Sequence, residues 1–216
     1  MGKAYKTVKT EGFGTYEEKK SRFLGFARHV ENDEEAAAFL SELRKKYYDA
    51  RHHCYACVTG KNGENARSSD DREPSGTAGH PILSVLQGNG ITDTCIVVVR
   101  YFGGTLLGTG GLVRSYTKAA QEALQASLVI EKYEAALITL KIDYSLYGAV
   151  QNFLAAEDLT PSESDFSDKV SLIIPVPSEQ EEDIVNRLTD LTQGRCETER
   201  NKDHLWLEKT SEISLS

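Results

Sequence analysis

With 216 residues, the chain is long enough for one large domain or two small ones. Its 39% hydrophobic and 27% charged content is that of a folded soluble protein; no run of eighteen apolar residues offers a membrane span, and the charged start Met1-Gly-Lys-Ala-Tyr-Lys lacks the apolar core of a secretory signal. The net charge of −8 excludes indiscriminate polyanion binding by the whole surface, yet residues 1–127 hold 17 basic against 15 acidic side chains and residues 128–216 hold 8 against 18, a split that points to two domains facing different partners.

Gly12 and Gly14 break any pattern near the start, and residues 1–17 read as a lead-in. Ser21 to Val30 reads as a strand. Asn32-x-x-Glu35 is a capping box opening a helix whose Ala36, Phe39, Leu40, Leu43 and Tyr47 share a face. His53 to Thr59 reads as a strand. Lys61 to Gly79 is a polar connection of a length that marks a functional or mobile loop. Pro81 starts a short helix to about Leu86, Thr94 to Tyr101 is a buried strand, and Gly111 to Ser127 is a helix with Leu112, Tyr116, Ala119, Ala120 and Ala123 inward. The pattern then restarts. Glu134 to Asp143 alternates as a strand, a helix carries Leu146, Val150, Phe153 and Leu154, and two strands lie near Leu159–Phe166 and Lys169–Val176. A second capping box, Ser178-x-x-Glu181, opens a helix with Ile184, Leu188 and Leu191 that stops near Gly194. A last strand falls within Arg195 to Glu208. This βαββαβ order is the ferredoxin-like split unit, expected as a small separate α+β domain.

Three constellations carry chemistry. The first, Arg100-Tyr-Phe-Gly-Gly-Thr-Leu-Leu-Gly-Thr-Gly-Gly-Leu-Val-Arg114, joins a buried strand to a helix N-terminus through Gly103, Gly104, Gly108, Gly110 and Gly111. Such density means either turns with φ above zero and tight packing, or the close approach of a ligand; a strand, glycine loop and helix N-terminus form an anion site. Thr109 stands where a Walker lysine is required and Val113 where a dinucleotide fingerprint needs its third glycine, so neither motif applies. The second, Ser69 to Pro81, sets Asp70, Asp71 and Glu73 before Ser75, Gly76, Thr77 and His80. The carboxylates and His80 suit a divalent cation or acid–base work, Ser75 and Thr77 suit a phosphate or a helix cap, and the same composition suits a solvated turn. The third is Arg51-His52-His53-Cys54-Tyr55-Ala56-Cys57. Cys54 and Cys57 face opposite ways on a strand, and no second pair completes a zinc set; the four cysteines, Cys54, Cys57, Cys95 and Cys196, read as reduced thiols of a cytosolic protein.

Taken together, His52 to Ala56, Asp70 to Leu83 and Val99 to Arg114 resemble the YigZ/IMPACT family, over about residues 17–127, and the remainder is similar to the small second domain of its bacterial members. The resemblance implies a ribosomal-protein-S5 domain 2-like fold followed by a ferredoxin-like domain similar to the last domain of elongation factor G. It therefore divides the chain into a lead-in at 1–17, an IMPACT-type N-terminal domain at 18–130, the ferredoxin-like domain at 131–210 and a tail at 211–216. Eukaryotic relatives act in translational control by restraining a starvation kinase, using an extra N-terminal domain, and that role is not carried over. Two positions depart from the family pattern: Arg72 replaces the glycine of Asp-Asp-Gly-Glu-Pro, where φ above zero would strain it, and Leu106 replaces a common lysine.

The resulting expectation is a non-enzymatic, cytoplasmic, translation-associated protein without cofactor or metal. It would bind RNA, the ribosome or a translation regulator through Arg51, His52, Ser75, Gly76, Thr77, His80, Arg100, Gly103, Gly104, Gly108, Gly110, Gly111 and Arg114. The acidic second domain would serve a protein partner; no membrane contact and no reading of DNA sequence are expected. The alternative is an enzyme acting on a phosphorylated small molecule, with Asp70, Asp71, Glu73 and His80 holding a metal or shifting protons beside the Gly103–Gly111 loop.

Overall fold

The computed structural model describes residues 4–210, and the tail read at 211–216 lies outside them. Two compact units divide between Lys132 and Tyr133, with Glu208 to Thr210 returning to the first. The first contains β1 (Tyr5–Val8), β2 (Gly12–Glu18), β3 (Ser21–His29), α1 (Asp33–Lys46), β4 (His52–Thr59), β5 (Asn65–Ser69), α2 (Gly79–Gly88), β6 (Thr94–Tyr101) and α3 (Gly108–Gln125). The stretch read as a lead-in therefore carries two strands. β1 pairs antiparallel with the start of β7 (Val129–Ile142), Val8 opposite Val129. The polar Lys61–Gly79 connection likewise contains a strand, β5.

Strands β2, β3, β6, β4 and β5 form one antiparallel sheet in that order. β6 lies at its centre, and Thr94 to Arg100 are all buried. One face packs Phe23, Ala27, Cys54, Ala56, Ile96 and Val98 against Ile82 and Leu86 of α2 and Leu112, Tyr116 and Ala119 of α3. The other packs Cys57, Cys95, Val97 and Val99 beneath Ala36, Phe39 and Leu43 of α1. Cys54 and Cys57 thus face opposite ways, and the four cysteines are free thiols. α1 starts as its sequence predicts: Asn32 Oδ1 accepts from Glu35 N at 2.9 Å, and Glu35 Oε2 accepts from Glu31 N at 2.8 Å. Acidic residues fill its first turn and basic residues its last, matching the helix dipole.

The glycines of β2 and β3 do not break the strands. They let α3 lie backbone to backbone on the sheet. A Cβ on Gly12 would stand 2.0 Å from Ala123 O, and one on Gly25 2.2 Å from Ala119 O. Small residues on both surfaces allow this approach, and it explains the alanine-rich inner face of α3.

The second unit runs from the rest of β7 through α4 (Tyr144–Ala156), β8 (Glu163–Phe166), β9 (Val170–Pro177), α5 (Glu181–Leu191) and most of β10 (Glu197–Thr210). Its strands lie in the order β8, β9, β7, β10. Ile138, Leu140 and Ile142 of β7 and Leu172, Ile174 and Val176 of β9 face Leu146, Val150 and Leu154 of α4 and Ile184 and Leu188 of α5. The second capping box does not form. Ser178 N still donates to Glu134 O at 2.9 Å, extending the β9–β7 pairing, so α5 begins after Gln180 without a side-chain cap. Glu181, Glu182 and Asp183 in its first turn supply the favourable electrostatics instead. Gly194, at φ 72°, ends the helix and donates to Thr189 O at 2.9 Å. Among the described residues no helix is long and apolar enough to cross a membrane.

The packing of α3 makes a clear prediction. Gly25→Ala forces a methyl group into the helix backbone and should cost about 3 kcal/mol. Gly88→Ala, at a helical position with open space around it, should be neutral or stabilising by up to about 1 kcal/mol. Chemical denaturation of the two variants measures both.

Candidate functional site

The ends of β4 and β6, the loop from Asp70 to Ala78 and the start of α3 meet around one buried ion pair. The loop begins with a tight turn: Glu73 N donates to Asp70 O at 2.9 Å, with φ 35° at Asp71 and 69° at Arg72. Two successive positive φ values are the signature of a type I′ turn. The strain anticipated for Arg72 is therefore present, and its guanidinium reaches back to Arg51 O at 2.7 Å.

Asp70 organises the rest of the loop. Its Oδ1 accepts from Ala78 N and Gly79 N at 2.9 and 2.8 Å, and its Oδ2 accepts from Gly76 N at 2.8 Å. Burial raises its carboxyl pKa, but the three amide donors outweigh that and hold it below the ordinary range. Asp70 thus caps α2 from nine residues upstream of Gly79. Asp71 Oδ2 accepts from His53 N at 2.7 Å. His52 Nδ1 lies 3.0 Å from Asp71 O; a carbonyl only accepts, so Nδ1 carries the proton and Nε2, 3.9 Å from Glu73 Oε1, faces inward. Burial holds His53 below the usual imidazole range despite the pull of Asp71.

Glu73 and Arg100 form the centre. Arg100 Nη1 donates to Glu73 Oε1 at 2.6 Å, and their side chains are 7% and 4% exposed. Tyr116 of α3 donates its phenol proton to the same oxygen at 2.8 Å, and the Cys54 thiol donates to the Tyr116 oxygen at 3.3 Å. Burial, reinforced by the Glu73 charge, raises the Tyr116 pKa, so the phenol stays protonated as a donor. Burial likewise pushes the Cys54 thiol up, which makes it a poor nucleophile. Ser21 Oγ accepts from Gly103 N at 3.1 Å and lies 3.5 Å from Arg100 Nη2. One network therefore ties strand, loop, helix and glycine turn together.

The five loop glycines have separable reasons. Gly103 lies against the turn between β2 and β3, where a Cβ would meet the Lys20 carbonyl carbon at 2.1 Å. Gly104 and Gly108 have φ of 86° and 70°. A Cβ on Gly111 would press on Leu107 at 3.0 Å. Gly110 is different. It has no positive φ, and a Cβ there would meet only Arg114 Nη1, at 3.6 Å. Inside a helix it costs about 1 kcal/mol relative to alanine, and no protein neighbour requires it. α3 opens at Gly108, three residues before the start read from sequence, and has no side-chain cap at Leu107. Its first amides therefore have no side-chain cap, and Arg114, one turn on, is exposed.

The expected site residues divide accordingly. Arg114, Gly104, Gly108 and Gly110 are exposed along the loop, as are Ser75, Gly76 and His80 at the start of α2 and Arg51 at the head of β4. Thr77 is buried, its hydroxyl donating to Pro74 O at 2.6 Å. Arg100 is spent on Glu73, so it offers no open cation. Asp70, Asp71 and Glu73 hold backbone amides and arginine, and among the described residues no cluster of three or more His, Cys, Asp or Glu is arranged to hold a metal ion. Ser21 and Tyr116 belong to the network but carry no sequence signal beyond a strand start and a buried helix position.

Comparison with known proteins places these features in a family. Residues 19–124 match the Impact N-terminal domain, and residues 140–195 match a domain of unknown function, DUF1949. The chain is 36% identical over 194 residues to the IMPACT family member YvyE of Bacillus subtilis, covering 90% of this chain and 89% of that protein. The chain belongs to the IMPACT family. It is also similar to the IMPACT family member YigZ of Escherichia coli, 37% identical over 178 residues, or 82% of this chain and 87% of that one. A solved structure described as that of a hypothetical protein superposes with a TM-score of 0.60 at 34% identity, over 92% of this chain and 97% of that one. For this IMPACT family member the two matched segments fall one in each compact unit, and the two-domain α+β architecture agrees with them.

Two predictions test the network. Glu73→Leu leaves Arg100 buried without its partner and should cost about 3–5 kcal/mol, whereas adding Arg100→Met should recover most of that loss; a double-mutant cycle in urea measures the coupling. Arg72→Gly relieves a left-handed backbone and should gain about 0.5–1 kcal/mol, after losing the bond to Arg51 O, read as a higher thermal midpoint.

Proposed function

We propose that this IMPACT family member is a cytoplasmic, non-enzymatic, translation-associated protein that binds RNA through the glycine-loop end of its first domain. The observation that carries this reading is Gly110. It costs helix stability without serving backbone geometry or packing, beside uncapped amides and the exposed Arg114. A phosphate seated on the first turn of α3 would need that bare backbone, and the amides and Arg114 would hold it. Arg51, Ser75, Gly76 and His80 offer further polar contacts along the same proposed surface. The inward engagement of Asp70, Asp71 and Glu73 supports a framework role for the carboxylates rather than acid–base chemistry, and the protonated Cys54 and Tyr116 support the same reading.

The strand order β8, β9, β7, β10 with helices after β7 and β9 supports a ferredoxin-like second domain similar to the last domain of elongation factor G. The five-stranded sheet with α2 and α3 on one face supports a ribosomal-protein-S5 domain 2-like first domain. Both likenesses are to folds that work on the ribosome. The strongly acidic second domain suits a basic protein partner.

Binding of the full-length chain to labelled RNA across a salt series is the test. Gly110→Ala should raise stability by about 1 kcal/mol and yet weaken binding, because its methyl group occupies the phosphate position. Arg114→Ser should weaken binding and flatten the slope of log affinity against log salt by about 0.7–0.9. Unchanged affinity in both variants would sink the proposal.

A further inference from the structure

A second feature of the first domain lies on the other face of its sheet, opposite α3. Phe13 of β2 pairs in register with Phe26 of β3, and their ring centroids are 5.0 Å apart at 35°. Phe26 continues to Tyr47 at the end of α1, 5.4 Å away at 38°. Lys46 Nζ stands 5.5 Å from the Tyr47 ring centroid. Four residues along β3, Arg22 lies over Tyr101, 5.1 Å from its centroid. α1 packs on β3 as well as on β4 and β6, leaving Phe26 and Tyr47 half-buried, whereas Phe13 on the edge strand β2 remains 52% exposed. The row borders an open cleft of about 300 Å³ lined by Glu11, Gly12, Phe13, Phe26, Lys46 and Tyr47.

The charges around the row are unequal in their availability. Glu11 and Glu42 are both engaged with Arg28, at 2.6 and 2.7 Å, and Asp49 accepts the Tyr101 phenol proton at 2.7 Å. Glu17 is exposed opposite Arg22 in the strand register. Among the described residues neither Arg22 nor Lys46 is held in an ion pair. An apolar protein segment would cover the rings but leave those cations without use. A ligand of flat aromatic rings joined by anionic links uses both. We propose that this aromatic row is a stacking platform for the bases of single-stranded RNA, with Lys46 and Arg22 at its phosphates. The inference rests on the reading of the chain as an RNA-binding protein but uses a different face of the sheet.

The probe is a fluorescent oligoadenylate of roughly ten nucleotides, bound to the full-length chain, with an RNA duplex of equal length beside it. Phe13→Ala should weaken single-strand binding about tenfold, Phe13→Trp should restore it, and neither should alter duplex binding. Lys46→Gln should flatten the single-strand salt slope by about 0.7. Phe13 is exposed, so an unchanged thermal midpoint keeps the variants comparable. If Phe13→Ala binds the oligoadenylate as wild type does, the platform is overturned, and a simultaneous loss in Arg114→Ser would leave the glycine-loop reading standing. If Phe13→Ala loses binding and Arg114→Ser does not, the platform stands and the glycine-loop reading fails. Absence of oligoadenylate binding by the wild type at low salt overturns the platform outright.

Discussion

The Glu73–Arg100 ion pair is the constraint on which the first domain turns. Two charges taken out of water are tolerable only with close geometry and further hydrogen bonds on the remaining lone pairs. Tyr116 donates to Glu73 and Ser21 accepts from Arg100, and each arrives on a different element. The pair therefore joins β6, the Asp70–Ala78 loop, α3 and the head of β3, and it specifies how loop and helix meet the sheet. Asp70 repeats the strategy on a smaller scale, using a carboxylate to gather three backbone amides and start α2. Polar residues that look like chemistry in a list are, in this arrangement, fasteners.

That division sharpens the glycine loop. Gly103 is required by the neighbouring turn, Gly104 and Gly108 by backbone conformation, and Gly111 by Leu107. Once those reasons are assigned, the remaining freedom is concentrated at Gly110 and the uncapped start of α3. Arg100, one of the two arginines that bracket the segment, is internally neutralised. Any attraction for an anion falls to the backbone amides and to Arg114, a weaker and more local field than two open arginines would make.

Much of this architecture was legible in the residues. β6 shows as an unbroken apolar run, α1 as a capped amphipathic pattern, and the βαββαβ order of the second unit as alternating periods. What escaped has physical causes. Gly12 and Gly14 read as breakers because a sequence does not reveal that a helix backbone will lie on them. Asn65 to Ser69 of β5 is polar on both sides at the sheet edge, so it carries no alternation. Ser178 has the right spacing for a cap but remains in the sheet pairing. The candidate site was visible as three motifs, yet the partnership of Glu73 with Arg100 spans 27 residues of sequence and leaves no periodic trace.

The sheet order of the first domain also bears on how the chain is made. β2–β3 and β4–β5 are both hairpins between consecutive strands, so their contacts are local in sequence. Neither touches the other in the finished sheet, because β6 lies between them. Until residues 94–101 have been made, neither ribbon has the neighbour it pairs with in the finished sheet, and a two-stranded ribbon alone is marginal in water. The most apolar strand in the domain is the last to reach that sheet, and its insertion is the event that turns two local structures into one cooperative unit.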